Sequence, residues 1–207
     1  VFSITANGNG TITGGAAGTV TDALDKDYEV TPGTYSVAET ALAGWVKTGD
    51  TCQNVAVAAG EKKTCTITNT KMATLEIVKV ALGGSATFNF TASGDNLPGS
   101  FTVNGNSKAI FPNLMPGGSR TVTEGALPSH WDFTSLTCGL TVLGDGTTSS
   151  YTSGPTATIT NLGAGDTLTC TYTNTKRGEI RIIKGAVGGE GTDTFNFTST
   201  GGLPSPA

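Results

Sequence analysis

A lysine, a glutamate and an asparagine recur at matched places along the 207 residues, and strand parity puts all three on apolar faces. Residues two apart in a strand share a side. In "TLEIVKV", Leu75, Ile77 and Lys79 lie together; in "GEIRIIKG", so do Ile180, Ile182 and Lys184, with Glu179 and Arg181 opposite. Cys65, Ile67 and Asn69 align, as do Cys170, Tyr172 and Asn174, while Thr66, Thr68, Thr171 and Thr173 face away. Tyr35, Val37 and Glu39 form a third such row, matched by Val122 and Glu124. Any one of these polar groups, buried alone in an apolar core, is costly.

Buried together they can react. Desolvation lowers the pKa of an amine and raises that of a carboxyl, which favours a neutral amine beside a protonated acid. The Lys amine then adds to the Asn carboxamide carbon while the protonated Glu polarises the carbonyl and relays protons. Ammonia leaves and an amide cross-link remains, formed once, by the logic of an activated nucleophile beside an acid–base partner. The alternative is an ion pair or hydrogen-bonded cluster that never reacts.

The elements that must position these residues are strands. Thr is the commonest residue, with 38 copies, Gly follows with 30, and only 14% of the chain is Asp, Glu, Lys or Arg, against about 25% in an ordinary domain. Thr and Val favour pleated strands, Gly marks turns, and no sustained 3.6-residue apolar pattern occurs, so the chain is expected to be all-β. A net charge of −4 without a Lys/Arg cluster gives no footprint for nucleic acid or an anionic membrane. No apolar run approaches the roughly 18 residues of a membrane span.

Internal similarity divides the chain. "TCTITNTKMATLEIVKVALGG" recurs as "TCTYTNTKRGEIRIIKGAVGG", placing Cys65 over Cys170, Asn69 over Asn174 and Lys79 over Lys184, each 105 residues apart. "TYSVAETALAGW" recurs as "RTVTEGALPSHW", pairing Glu39 with Glu124 and Trp45 with Trp131, and "ATFNFTASGDNLPG" recurs as "DTFNFTSTGGLPSP". The expected units are an incomplete one over 1–70 that lacks its first strands, a complete one over 71–176, and the first strands of a further unit over 177–207. The two ends read as complementary: "FNFTASGDNLPGS" runs into "FTVNGN" in the complete unit, the C-terminus stops after "FNFTSTGGLPSPA", and the N-terminus opens with "VFSITANGNG". Residues 177–207 are thus expected to complete residues 1–70 of a neighbouring copy. "TNTK" leads into the next apolar strand with no Pro/Ser-rich spacer, unlike a free hinge.

The opening "IVKV" or "IIKG" strand, the "TYSVAET" or "RTVTEGA" segment leading to an aromatic, and the closing "TITNT" or "TYTNT" strand resemble the prealbumin-like (SpaA-like, Cna B-type) repeat domains of bacterial surface and pilus proteins. The resemblance implies tandem Ig-like β-sandwiches of about seven strands. It also implies an intramolecular isopeptide bond from a Lys on the first strand to an Asn on the last, assisted by a central Glu. The matching residues are Lys79, Glu124 and Asn174, with Lys184, Glu39 and Asn69 in the split unit. A structural segment of an extracellular filament follows, with copies of itself in a head-to-tail polymer as partners, by strand complementation or chain continuation. It has no enzymatic activity beyond the self-directed cross-link. The competing implication is an adhesin or stalk module that recognises a surface glycan or protein, for which the insertion "GLTVLGDGTTSSYTSGPT" with Tyr151 is the place to look.

Cysteines come as one pair per unit, Cys52 with Cys65 and Cys138 with Cys170, at spacings unlike metal or redox motifs. Disulfides in an oxidising, extracellular or cell-surface setting are expected, against two pairs of buried thiols. The chain's one histidine, His130, reads as a loop residue. Asp22, Asp25 and Asp27 lack the calcium-loop spacing and read as a solvated turn, so neither metal nor cofactor is expected. Trp45 and Trp131 read as packing anchors. Asn9, Asn89 and Asn196 fall in N-x-[ST] sequons of a Thr-rich chain, where chance makes them common.

Overall fold

Alternating Thr and apolar residues broken by Gly turns fold as that pattern dictates. The computed structural model describes residues 1–144, 149–189 and 191–199. Among the described residues there is no helix, hence none long and apolar enough to cross a membrane. The first unit carries β1 (Phe2–Gly8), β2 (Ile12–Thr13), β3 (Ala17–Val20), β4 (Glu29–Val30), β5 (Gly33–Glu39), β6 (Trp45–Asp50), β7 (Val55–Val57) and β8 (Ile67–Lys71). The second carries β9 (Ala73–Leu82), β10 (Thr87–Ser93), β11 (Ser100–Asn104), β12 (Ser107–Leu114), β13 (Arg120–Glu124), β14 (Trp131–Val142), β15 (Ser150–Thr152), β16 (Thr156–Asn161) and β17 (Thr167–Lys176). Only Met72 separates β8 from β9, and its amide donates to the Gly44 carbonyl at 2.8 Å, so the two units abut without a linker.

The second unit is a sandwich of two sheets, ordered β12-β9-β17-β14 and β11-β10-β13-β16-β15. In β9 the expected alternation holds, with Ala73, Leu75, Ile77, Lys79 and Ala81 all buried. They face Phe88, Phe90, Val122 and Ile159 of the other sheet, in one core with Leu168 and Tyr172. Each fully buried large apolar side chain contributes about 1.5–3 kcal/mol. Arg120 is also buried, its guanidinium donating to the carbonyls of Gly117 at 2.6 Å and Met115 at 2.7 Å. Gly94, at φ +111°, makes room for it: a Cβ there would sit 2.6 Å from Arg120 Cγ.

The first unit repeats this pattern with one strand absent. Ile4 of β1 lies opposite Glu39 of β5, as Phe90 of β10 lies opposite Glu124 of β13. The edge-to-face pair of Phe2 and Trp45 (5.4 Å, 83°) matches that of Phe88 and Trp131 (5.3 Å, 86°). β1 therefore stands where β10 stands, β5 where β13 stands, and the β6–β8 ladder where β14 and β17 pair. Among the described residues of 1–70 no strand stands in the place of β9. Asp25–Tyr28, which precede β4 as Ala109–Pro112 precede the end of β12, form no strand either. The other side of β9 would have held them.

This register revises the phase expected from the sequence. "VFSIT" is the counterpart of "TFNFT", so residues 1–70 lack the lysine-bearing strand alone. From Gly178 the chain forms a separate unit. Its described residues contain no strand, although first strands were expected there. Ile180, Ile182 and Ile183 are exposed, and a lone pair of strands is marginal in water.

Candidate functional site

Lys79 sits at the centre of the second unit's core with its side chain fully buried. Strand β9 runs parallel to β17, and in that register Lys79 is the partner of Tyr172, with Asn174 two residues further along on the same face. Glu124, on β13, reaches across from the opposite sheet, its side chain 4% exposed. Chain topology thus brings residues nearly a hundred positions apart to one point between the sheets.

The cluster is tight. Lys79 Nζ lies 3.5 Å from Glu124 Oε1, and Asn174 Nδ2 donates to that same oxygen at 3.0 Å. The ammonium also donates to the carbonyls of Tyr172 at 3.0 Å and Val80 at 3.2 Å, and lies 4.4 Å from the centre of the Phe88 ring. Burial pushes the Lys79 amine below the ordinary lysine range, and Glu124 opposes that shift only in part. Glu124 Oε2 and Asn174 Oδ1 are buried without a hydrogen-bond partner. Two orphaned oxygens beside a destabilised ammonium are the cost of holding the three groups unreacted.

Tyr172 and Phe88 were not singled out from sequence, yet both touch the lysine. Tyr172 shared the inward parity of Asn174, which was the available signal. Its hydroxyl donates to Val122 O at 2.6 Å and accepts from the Ala157 amide at 3.3 Å, and burial pushes its pKa up to about 12. It ties β17 to the opposite sheet beside the cluster.

In the first unit, Asn69 Nδ2 donates to Glu39 Oε1 at 2.7 Å, the same contact as in the complete unit. Lys184 belongs to the separate unit from Gly178, exposed, its Nζ 4.1 Å from the Phe195 ring centre. That contact repeats Lys79 over Phe88, since Phe195 is the first aromatic of the "TFNFT" copy. Disulfides join Cys52 to Cys65 and Cys138 to Cys170. Cys138 and Cys170 are direct partners in the β14–β17 ladder, four residues from Asn174.

The remaining candidates have structural roles. His130 has φ 68° in the turn before Trp131, and its carbonyl accepts the Arg177 amide at 2.7 Å. Asp27 pairs with Lys62 at 3.5 Å on the surface, and no group of metal-ligating residues forms among the described residues. Asn9 Oδ1 accepts the Thr34 amide at 2.8 Å. Of the insertion, Tyr151 lies on β15 partly packed against the core, while residues 145–148 lie outside the described residues.

Residues 75–176 match the family model of the prealbumin-like fold domain, so this segment of the chain is a prealbumin-like domain. Similar solved structures include a major pilin protein of Streptococcus pyogenes, at 16% identity over 83% of this chain and 88% of that one, with a TM-score of 0.38. A second Streptococcus pyogenes major pilin has 15% identity over 84% and 90%, TM-score 0.33. A Mobiluncus mulieris adhesin containing intramolecular disulfide, isopeptide and ester bond cross-links has 11% identity over 86% and 85%, TM-score 0.38. No curated protein matches the sequence.

Proposed function

We propose that this chain is a structural segment of an extracellular, pilus-like surface fibre, built from prealbumin-like units each locked by a Lys–Asn isopeptide bond. The observation that carries the reading is the buried contact set of Lys79, Glu124 and Asn174, half of which recurs as Glu39 with Asn69. Two disulfides suit an oxidising exterior, and the prealbumin-like domain suits a surface protein.

The chemistry conserves its atoms. Lys79 passes a proton to Glu124, and the neutral Nζ attacks Cγ of Asn174. The protonated carboxyl donates to the carboxamide oxygen as negative charge develops on it. The Nζ–Cγ bond forms, the Cγ–Nδ2 bond breaks, and Nδ2 leaves as ammonia with a proton taken from the amine. Because β9 and β17 lie side by side, the new bond joins the first strand of the sandwich to its last. Tension entering at Ala73 and leaving at Lys176 then runs through covalent bonds, and the ladders between carry little of it. Copies arranged head to tail would make a fibre that resists pulling and proteolysis.

Intact mass decides. The chain is expected to weigh one ammonia less than its disulfide-bonded sequence, the loss mapping to a Lys79–Asn174 cross-linked peptide and vanishing in Glu124→Ala. A full, unshifted mass for the folded chain overturns the reading.

A further inference from the structure

We infer that Tyr172 is the positioning residue of the cross-linking step: its hydroxyl clasps the asparagine strand to the glutamate strand while its carbonyl holds the lysine amine. The inference rests on the proposed function and names the residue that sets the geometry of that reaction. Tyr172 is fully buried and stands between the groups to be joined. It is the partner of Lys79 in the parallel β9–β17 pairing and lies two positions before Asn174 on the same face.

The backbone of Tyr172 acts on the nucleophile. An ammonium has three hydrogens to place. Around Lys79 Nζ lie three acceptors, Tyr172 O at 3.0 Å, Val80 O at 3.2 Å and Glu124 Oε1 at 3.5 Å. When one proton passes to Glu124, the other two N–H bonds stay on the two carbonyls. The lone pair is then left on the side of Glu124 Oε1, the oxygen to which Asn174 Nδ2 donates at 3.0 Å. A solvated lysine amine rotates freely, whereas this one is oriented before it attacks, which is where an intramolecular reaction gains most.

The side chain acts on the acid. Val122 and Ala157 are direct partners in the β13–β16 ladder, and the Tyr172 hydroxyl bridges them, donating to the carbonyl of Val122 at 2.6 Å and accepting from the amide of Ala157 at 3.3 Å. Val122 precedes Glu124 by two residues on β13. The Tyr172 ring also meets Phe90 edge to face (5.0 Å, 78°), and Phe90 is paired with Glu124 across the β10–β13 ladder. One side chain thus fixes the neighbours of Glu124 along its strand and across from it. Tyr172, Val122, Ala157 and Phe90 are each no more than 1% exposed, so solvent has no access to replace the bridge. The Glu–Asn bond itself does not require a tyrosine: the first unit carries Ile67 in this place and still joins Asn69 to Glu39 at 2.7 Å.

The full chain, made by cell-free synthesis in an oxidising buffer and sampled over time, reports the step as loss of one ammonia from the intact mass. Tyr172→Phe keeps the ring and removes the bridge. The half-time of the loss should lengthen at least about tenfold, against the roughly hundredfold that a displacement of about 1 Å can cost. The factor should be the same at neutral and mildly alkaline pH, because burial pushes the phenol up to about 12 and it keeps its proton at both. Phe90→Leu, which spares the hydroxyl and removes the ring beside Glu124, should slow the loss by a smaller factor. Leu114→Val, in the same core but paired with Ala73 at the far end of β9, should lower the denaturant midpoint and leave the rate unchanged. Parent-like rates in Tyr172→Phe and Phe90→Leu overturn the inference, and Phe90→Leu decides alone if Tyr172→Phe does not fold. A slowing that Leu114→Val matches also overturns it, making the tyrosine a packing residue only, as does one that changes with pH, which would make the hydroxyl a proton donor. No ammonia loss in the folded parent overturns the proposed function, and this inference falls with it.

Discussion

Residues 1–70 and 71–176 share their Glu-bearing and Asn-bearing motifs in the same order, yet only the second encloses them. Asn174, Cys170 and Tyr172 are fully buried, while Asn69, Cys65 and Ile67 at the same positions are half-exposed. The Glu–Asn hydrogen bond forms in both, at 3.0 Å and 2.7 Å, so local sequence is sufficient for that contact. What differs is β9. It brings Leu75, Ile77 and Ala81 into the core along with the lysine, and it gives both β12 and β17 a neighbour. A single strand thus separates a closed sandwich with a buried Lys–Glu–Asn cluster from an open one with its Glu–Asn pair alone.

The largest expected effect separates the units most sharply. Asn174→Ala removes the proposed tie between β9 and β17 and should lower the unfolding free energy of the second unit by about 4–5 kcal/mol, the entropy of closing a loop of roughly 100 residues. Denaturant titration of folded chains measures it. Asn69→Ala in the monomeric chain loses only one half-buried hydrogen bond and should cost no more than about 1 kcal/mol. Equal losses at the two sites would erase the distinction drawn between the units.

Phe88 and Phe2 offer the same test without covalent chemistry. Phe88→Ala empties a site that is 1% exposed and should cost about 3–5 kcal/mol. Phe2→Ala, at a half-buried ring, should cost distinctly less by the same titration. The disulfides come next in magnitude. Loops of 13 and 32 residues correspond to about 3 and 4 kcal/mol. The smaller contribution matters more to the unit with the smaller core. Upon mild reduction, limited proteolysis should therefore cut within 1–70 while 71–176 survives as a fragment; the opposite order would contradict the comparison.

Parity alone made the inward set legible. Lys79, Glu124 and Asn174 were readable because a two-residue period leaves no choice of face once neighbours such as Leu75 and Tyr172 are apolar. Register between strands was not readable in the same way. "VFSITANG" contains Asn-Gly, as does "FTVNGN", and that shared turn signal drew the N-terminus one strand too far along the unit. Only the ladder placing Ile4 opposite Glu39 shows that it pairs as "FNFT" does. The tail failed differently: "RIIK" has strand periodicity, but periodicity states a preference that a partner must satisfy, and Ile182 is exposed among the described residues of its unit. Tyr172 was legible as an inward residue but not as a lysine contact, since its carbonyl reaches Lys79 only through the parallel pairing of two strands distant in sequence.

The smallest effect concerns pH, and it tests whether the lysine of the closed unit has been consumed. In Asn174→Ala the amine of Lys79 remains free, and burial holds its pKa below the ordinary lysine value of 10.5. The unfolded chain then binds more protons than the folded one between those two values. Stability must rise with pH across that window and level off above it, since the unfolded lysine no longer holds its proton there. In the cross-linked chain Lys79 is an amide nitrogen and cannot titrate, so this alkaline rise should be missing from the second unit. Denaturant midpoints of the second unit, followed from neutral pH to just above 10.5, supply the comparison. An alkaline rise of equal size in the variant and the parent would mean that the parent still carries its free amine.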